Sequence, residues 1–542
     1  MTEEPHPRVT RPEALAVLAL CAAASGIAIL WSWRIGALLN YGDAVAHLHI
    51  ARRVFDSRLP RLTQLGSVWL PLPHLLLLPF VQVYSWWATG WAAVVPSALA
   101  YLAACAGLYR LARRWLRPIE AALALAFFAL NPNLLYLQTT AMTEPLFVCE
   151  MVWVAVLLVE WRASLAAGPA PKPAPKPAKP RRLLWAIAAV LVAAVFTRYD
   201  GWVLALGVWT AIGLALARRG RLRSPAFWLA SALVVAAPIA WFVYNAIGFH
   251  DWLYFQRGPY SASAIELRTA LPGYPPHPGW HNPWVSFLFF VKAAEMDAAA
   301  RAWGNTLLGL SLAGALWASF TAKKRLFRWS LLLWFPVPFY AYSVAYGSVP
   351  IFLPPWWPHS WYNTRYGLEM LAAFALGLGF AAQIMLGAVR EFKPRWVRLA
   401  AAMLFAAVAL NTVQMLREHP LVYVEGLKNI ESRRQFEIEI PAALRAELAA
   451  WPQAAILMDT SVYPNLVAFT GIPLRQTINE SDLGIFDEAL QAPAAHAQLV
   501  LAFDGDAVDK AVKAHPEGLV LVRHFTAHGQ ASGTLYRSFD LP

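Results

Sequence analysis

The chain is 542 residues long, 58% hydrophobic and only 14% charged, against roughly 25% charged in soluble globular proteins, which excludes an ordinary water-soluble enzyme. Its 26 Trp, 28 Phe and 18 Tyr exclude a disordered or fibrous chain, because such chains lack the apolar side chains that fill a core. The net charge of +13 is read from where the Lys and Arg fall, since membrane proteins collect them in cytoplasmic loops.

A membrane span needs about 20 mostly apolar residues. The first, from about Glu13 to Trp33, is too long for a signal-peptide core and lacks a small-x-small cleavage signal, so it reads as an uncleaved span. Ten more begin near residues 91, 119, 143, 183, 201, 226, 302, 327, 366 and 396. Cys21, Cys105 and Cys149 lie in apolar runs, so neither a disulfide scaffold nor a thiolate metal site is indicated. With a cytoplasmic N-terminus, the cytoplasmic stretches hold 24 Lys and Arg and the longer outer loops 11. The basic excess is therefore topological, and nucleic acid is not an expected partner.

That topology requires the apolar stretch Val68 to Trp87 not to cross. Pro71, Pro73 and Pro79 agree, because proline breaks helices, and interfacial helices within an outer loop 34–90 are expected. Residues 168–182 read as a cytoplasmic Pro/Lys linker. Beyond Arg417 the hydropathy falls, and strand-like runs at 454–460, 497–503 and 518–525 alternate with helical patterns. The expected fold is a polytopic α-helical membrane protein of about eleven spans over residues 1–416, with a small α/β domain at 417–542. Eleven being odd, that domain is expected outside a plasma (inner) membrane.

Ionisable residues at span ends are functional candidates, because lipid tolerates them only when they pair or line a wet cavity. In YGDAVAHLHIARR (41–53), Asp43 and His47 share a helix face, and Arg52 and Arg53 follow two turns later. Asp43 suits a general base or a ligand for a divalent cation, the structural alternative being a helix cap. Glu144 in QTTAMTEPLF (138–147) is an isolated acid at membrane depth. In FTRYDGW (196–202), Arg198 suits an anion or pairs with Asp200. PPWWPHSWYNTRYGLEM (354–370) supplies Trp361, Tyr366 and Arg365, suited to sugar stacking and phosphate. His277 and His281 in the loop from about His250 to Arg301 have Pro-rich spacing that fits a metal site poorly. DGD at Asp504 to Asp506 imitates a nucleotide-sugar metal motif, although a turn and helix cap account for it.

In this order and on one membrane face, these motifs resemble the GT-C integral membrane glycosyltransferases, in particular the protein-mannosyltransferase and aminoarabinose-transferase-like family that uses polyprenyl-phosphate sugars. The likeness rests on Asp43 with Ala51 to Arg53, LPLPHLLLLPF, MTEPLF, TRYDGW and NTRY, and covers about residues 13–416. It implies an inverting transfer of a sugar from a polyprenyl-phosphate donor to a lipid, glycan or protein acceptor at the outer face. Asp43 would be the general base and Glu144 would orient the acceptor or the base. Arg365, with Arg198 or one of Arg52 and Arg53, would neutralise the leaving phosphate. His47, Asp200, Tyr366 and Trp361 would contact substrate. The family often has Asp-Glu where this chain has Asp43-Ala44, which speaks against a metal-dependent version, so no cofactor is expected beyond an optional divalent cation at Asp43. A transporter or flippase of lipid-linked sugars is the alternative; it calls for internal repeats, and none is visible.

Overall fold

Helices begin close to ten of the eleven expected positions in a computed structural model of the chain, which describes residues 9–166, 180–269, 275–300 and 303–539. The eleventh, near 327, falls inside a 3₁₀ helix, Ala322–Trp334, that runs into Pro336–Tyr346. Length and composition alone qualify seven stretches among the described residues to cross a membrane: Arg11–Arg34, Trp91–Ala112, Pro180–Thr197, Asp200–Ala217, Pro225–Phe249, Thr364–Phe392 and Pro394–Glu431. Of the other expected spans, Pro118–Ala129 has 12 residues, or about 18 Å of helix. A break at Asn131 separates it from Pro132–Leu137. Glu144–Ala166 is 23 residues long but charged at both ends, and Trp303–Phe320 has 18.

Leu15, Leu20, Ile27, Leu206, Ile247 and Phe320 are exposed on these helices. A soluble protein would hide such a belt, whereas lipid solvates it. Where helices must touch, small residues let them: a Cβ on Gly314 of Trp303–Phe320 would overlap the Gly377 carbonyl oxygen of Leu371–Phe392. This is the close backbone approach that packs helices without a hydrophobic driving force.

The stretch Val68 to Trp87 folds into Pro71–Val81 and Tyr84–Thr89, too short to cross. Before them comes Gly42–Arg53, the helix that carries Asp43. The expected loop at 250–301 contains a helix that the sequence reading lacked, Pro283–Ala298. Its 16 residues fall short of a span, and its Pro- and His-rich approach reads as loop. It packs against Pro336–Tyr346 and the turn Thr364–Met370. Most of the Pro/Lys linker lies outside the described residues.

After Arg417, Leu421–Glu431 and Arg434–Ala450 lead into a five-stranded mixed sheet. Its strands are β1 (Ile456–Met458), β2 (Thr477–Ile478), β3 (Leu499–Phe503), β4 (Leu519–Phe525) and β5 (Gly533–Ser538). Their order is β2-β1-β3-β5-β4, with β1 parallel to β2 and β3, and β5 antiparallel to β3 and β4. Of DGD, Asp506 caps Ala507–Ala514, its Oδ1 accepting from the Asp509 backbone N–H.

Replacing Gly314 by Leu is expected to separate two packed helices at a cost of about 1–3 kcal/mol. Thermal unfolding in detergent should show a lower midpoint than wild type; an unchanged midpoint would mean that the two helices are not in contact.

Candidate active site

Arg365 lies in the turn Thr364–Met370, where the chain enters the long helix Leu371–Phe392. Its guanidinium reaches three carboxylates: Nε donates to Glu144 at 3.1 Å, Nη1 to Glu425 at 2.6 Å and Nη2 to Asp43 at 2.8 Å. A second guanidinium, Arg198, lies behind it. It donates to Asp200 at 2.9 Å, Glu144 at 3.2 Å, Thr143 Oγ1 at 3.0 Å and the Tyr340 hydroxyl at 3.0 Å, and lies 3.6 Å from Glu369. Glu144 thus bridges the two. The Tyr366 ring is flanked by both guanidiniums, 5.0 Å from Arg198 and 5.2 Å from Arg365, and stacks on Tyr340.

Gly367 lets this turn sit down: a Cβ there would come within 2.5 Å of the Ala293–Ala294 backbone. The Asp43 end is fixed from the opposite direction. The Tyr41 hydroxyl donates to the Val422 carbonyl at 2.6 Å, the Gly42 N–H to Asn429 Oδ1 at 2.7 Å and Arg433 Nη2 to the Asn40 carbonyl at 3.0 Å. Glu425, on the same helix as Val422 and Asn429, also accepts from the Asn363 and Thr364 N–H groups at 3.0 and 2.9 Å. One helix therefore holds both halves of the Asp43–Arg365 pair. The side chain of Asp43 is 47% exposed, against 5% or less for Arg365, Glu144 and Glu425. Asp43 is the member of this quartet that a substrate can reach.

Asp43, Glu144, Arg198, Asp200, Arg365 and Tyr366, widely separated in sequence, thus converge. Their exposure and contacts differ from one to the next. Asp43 is not a helix cap, because the cap position is Tyr41. Glu144 and Asp200 have side chains 1% exposed and are bonded to the guanidiniums, which places Glu144 where it orients the expected base, Asp43, through Arg365. Tyr366 lies between the two guanidiniums. Arg52 and Arg53 are not phosphate ligands of this site. Nine and ten residues along the helix from Asp43, they lie about 14 Å farther on. Arg52 binds Asp56 at 2.8 Å and the carbonyls of Val81 and Gln82, and Arg53 binds the Gln64 carbonyl.

His47 is buried against Trp69 and hydrogen-bonded to His74, Nδ1 to Nε2 at 2.8 Å. Burial lowers its pKa to about 4, which favours the neutral ring. Trp361 is half-buried in the loop before the turn and takes no part in the ion-pair cluster. His277 pairs with Glu266 at 3.1 Å. Among the described residues no group of three or more His, Cys, Asp or Glu is arranged to hold a metal. A divalent cation at Asp43 fits poorly, since it would share its one carboxylate with a guanidinium 2.8 Å away.

Glu425, Glu369 and Tyr340 complete the cluster and were absent from the sequence candidates. Glu369 met the criterion used for the others, an acid at a span end. Glu425 lies past the expected domain boundary at 416/417.

Beside the cluster runs an apolar groove of about 970 Å³ between Asp200–Ala217 and the segment 328–349, lined by Tyr199, Trp202, Val208, Phe335, Phe339 and Trp329 among others. Tyr199 follows Arg198 in the chain, and Phe339 packs on Tyr340 at 5.0 Å, so neighbours of the cluster's residues line the groove while the cluster's own side chains do not.

No family model matches the chain, and no curated protein does. Among solved structures, ArnT from Cupriavidus metallidurans in the apo state superposes with a TM-score of 0.56, over 97% of this chain and 98% of that one. The same protein bound to undecaprenyl phosphate gives 0.55 over 96% and 97%. Identity is 14% in both cases. The chain has the GT-C fold. A weaker likeness, with a TM-score of 0.43 and 11% identity, covers 98% of the chain and 75% of an Archaeoglobus fulgidus oligosaccharyltransferase. At these identities the shared property is the GT-C fold of a multi-pass membrane protein.

The C-terminal domain also grips the far end of the Asp43 helix. Glu480 accepts from the Thr460 N–H and Oγ1, both at 2.8 Å, and Thr460 Oγ1 lies 3.4 Å from His49 Nε2. Burial, reinforced by nearby Asp459 and opposed by Arg53, pushes Glu480 up to about 7 from 4.5. The folded state therefore holds a proton that the unfolded chain releases. The stability this supplies is complete below about pH 4.5 and is lost as pH rises through 7. The thermal midpoint is expected to fall between pH 5 and 8, and to fall less in Glu480→Gln; an equal fall in both would contradict this role.

Proposed function

We propose that the chain is a glycosyltransferase that moves a sugar from a polyprenyl-phosphate donor to an acceptor at the outer face of a plasma (inner) membrane, with inversion. The carrying observation is the exposed carboxylate of Asp43 held on the buried guanidinium of Arg365; a groove apolar enough for an isoprenoid chain, lined by neighbours of the cluster's residues, supports it. The fold shared with a protein crystallised with undecaprenyl phosphate supports a lipid-phosphate donor. The cytoplasmic bias of Lys and Arg supports placing residues 1–416 in the membrane and 417–542 outside.

In this reading the donor phosphate exchanges with Asp43 at Arg365. The cluster has five carboxylates around two guanidiniums, Asp43, Glu144, Asp200, Glu369 and Glu425. A further anion added to it would be repelled, whereas one that replaces a carboxylate keeps the local charge nearly constant. Asp43, released, accepts the proton of the acceptor hydroxyl as its oxygen bonds to the anomeric carbon. The bond from that carbon to the phosphate oxygen breaks on the opposite face. The departing phosphate is already an anion, so a fixed guanidinium stabilises it better than an acid would. Arg198 and Glu144 hold Arg365 in position.

Asp43→Asn in purified protein is expected to retain the wild-type stability to within about 1 kcal/mol and to lose transfer from a polyprenyl-phosphate sugar by about 10²-fold or more. Undiminished transfer by the folded variant would remove Asp43 from the reaction. Movement of intact lipid-linked sugar across vesicles, with no glycosidic product, would favour a flippase.

A further inference from the structure

The groove has a charged end. Arg162 lies 18 residues beyond Glu144 on the helix Glu144–Ala166, about 27 Å along its axis, close to the thickness of a bilayer hydrocarbon core. Its guanidinium sits 5.3 Å over the Trp329 ring. Trp329 and Arg328 line that end of the groove. Arg219, just past the end of Asp200–Ala217, lies within electrostatic range of Arg162. The Nη1 atoms of both Arg162 and Arg219 are buried with no hydrogen-bond partner. Neither guanidinium has an ion-pair partner among the described residues. The sequence offers little: segments 163–199, 201–250 and 302–368 contain no Asp or Glu, and Glu160, the acid nearest Arg162 on its helix, is taken by Arg110 through two bonds of 2.7 and 2.8 Å.

A topological bias toward Lys and Arg explains why this end of the bundle is basic. It does not explain two half-buried guanidiniums that each turn one nitrogen, Nη1, away from water with no partner, since shielding even part of a like-charged pair costs free energy unless an anion joins it. We propose that Arg162 and Arg219, with Arg328 at the rim, form a phosphate site at the end of the groove opposite Arg365. Guanidinium forks match phosphate oxygens bidentately. The adjoining groove wall is apolar, so the phosphate of an anionic membrane lipid can rest on the guanidiniums while its chains lie over Trp329 and Leu332. Free inorganic phosphate would satisfy the same nitrogens and is the other source of this chemistry. The site stands apart from the transfer reaction, and its test requires no turnover.

The test uses the whole protein in neutral phosphatidylcholine nanodiscs, with phosphatidylglycerol or inorganic phosphate added in separate arms. Thermal unfolding and native mass spectrometry of retained lipid are the readouts, for wild type, Arg219→Gln and Arg162→Gln/Arg219→Gln. Phosphatidylglycerol is expected to raise the wild-type midpoint by about 3 °C or more over phosphatidylcholine and to stay bound in the spectrum. The double variant should lose most of the shift and the single variant part of it, which keeps a readout should the double variant fold poorly. An equal shift from inorganic phosphate alone, lost in the variants, supports the site with soluble phosphate as the source. No shift from either addition, or the same phosphatidylglycerol shift in wild type and Arg219→Gln, overturns the proposal.

Discussion

A guanidinium at the mouth of a membrane helix is stable only where carboxylates meet it, because neither lipid nor apolar side chains solvate charge. Arg365 meets that condition with Glu144, Glu425 and Asp43, drawn from three segments that lie 221, 60 and 322 residues away. Losing Glu144 or Glu425, the two buried carboxylates, leaves a buried charge short of its partner. The demand of one cation thus brings together the entry of Glu144–Ala166, the loop helix Gly42–Arg53 and the helix Leu421–Glu431. Arg198 repeats the arrangement alongside and shares Glu144, so the two guanidiniums position each other.

The helix Leu421–Glu431 makes the C-terminal part of the chain a component of the site. It supplies Glu425, accepts from Tyr41 and holds Gly42 through Asn429. The loop after β1 meets the other end of the Asp43 helix, where Thr460 Oγ1 lies 3.4 Å from His49 Nε2. The geometry of Asp43 consequently depends on contacts at both ends of a helix of 12 residues. A cut at residue 416 would remove one wall of the charged cluster together with the domain.

Much of the charged cluster was legible because the solvent is apolar. Asp43, Glu144, Arg198, Asp200 and Arg365 are isolated charges at the ends of apolar runs, and lipid leaves such charges few places to go except to one another. Position along the chain misled where a helix intervened: Arg52 and Arg53 follow Asp43 closely in sequence but lie more than two turns away on their helix. Glu369 was visible by the same criterion and was masked by its neighbour Arg365. Glu425 was hidden by the hydropathy boundary, since nothing in a soluble-looking segment marks a residue that reaches back into the membrane domain. In the sheet, β1, β3 and β4 lie within apolar runs, while β2 has two residues and β5 reads GTLYRS, too short and too polar for a periodicity to register.

The central claim is that Asp43 and the donor phosphate compete for one guanidinium, and affinity tests it more directly than rate. Binding of polyprenyl phosphate to the purified protein, measured by calorimetry or scintillation proximity for wild type and Asp43→Asn at matched ionic strength, separates competition from cooperation. Removing the competing carboxylate predicts tighter binding by about tenfold, equivalent to about 1.4 kcal/mol. Weaker binding in Asp43→Asn would show that the carboxylate helps to hold the lipid phosphate, and the exchange at Arg365 would be wrong.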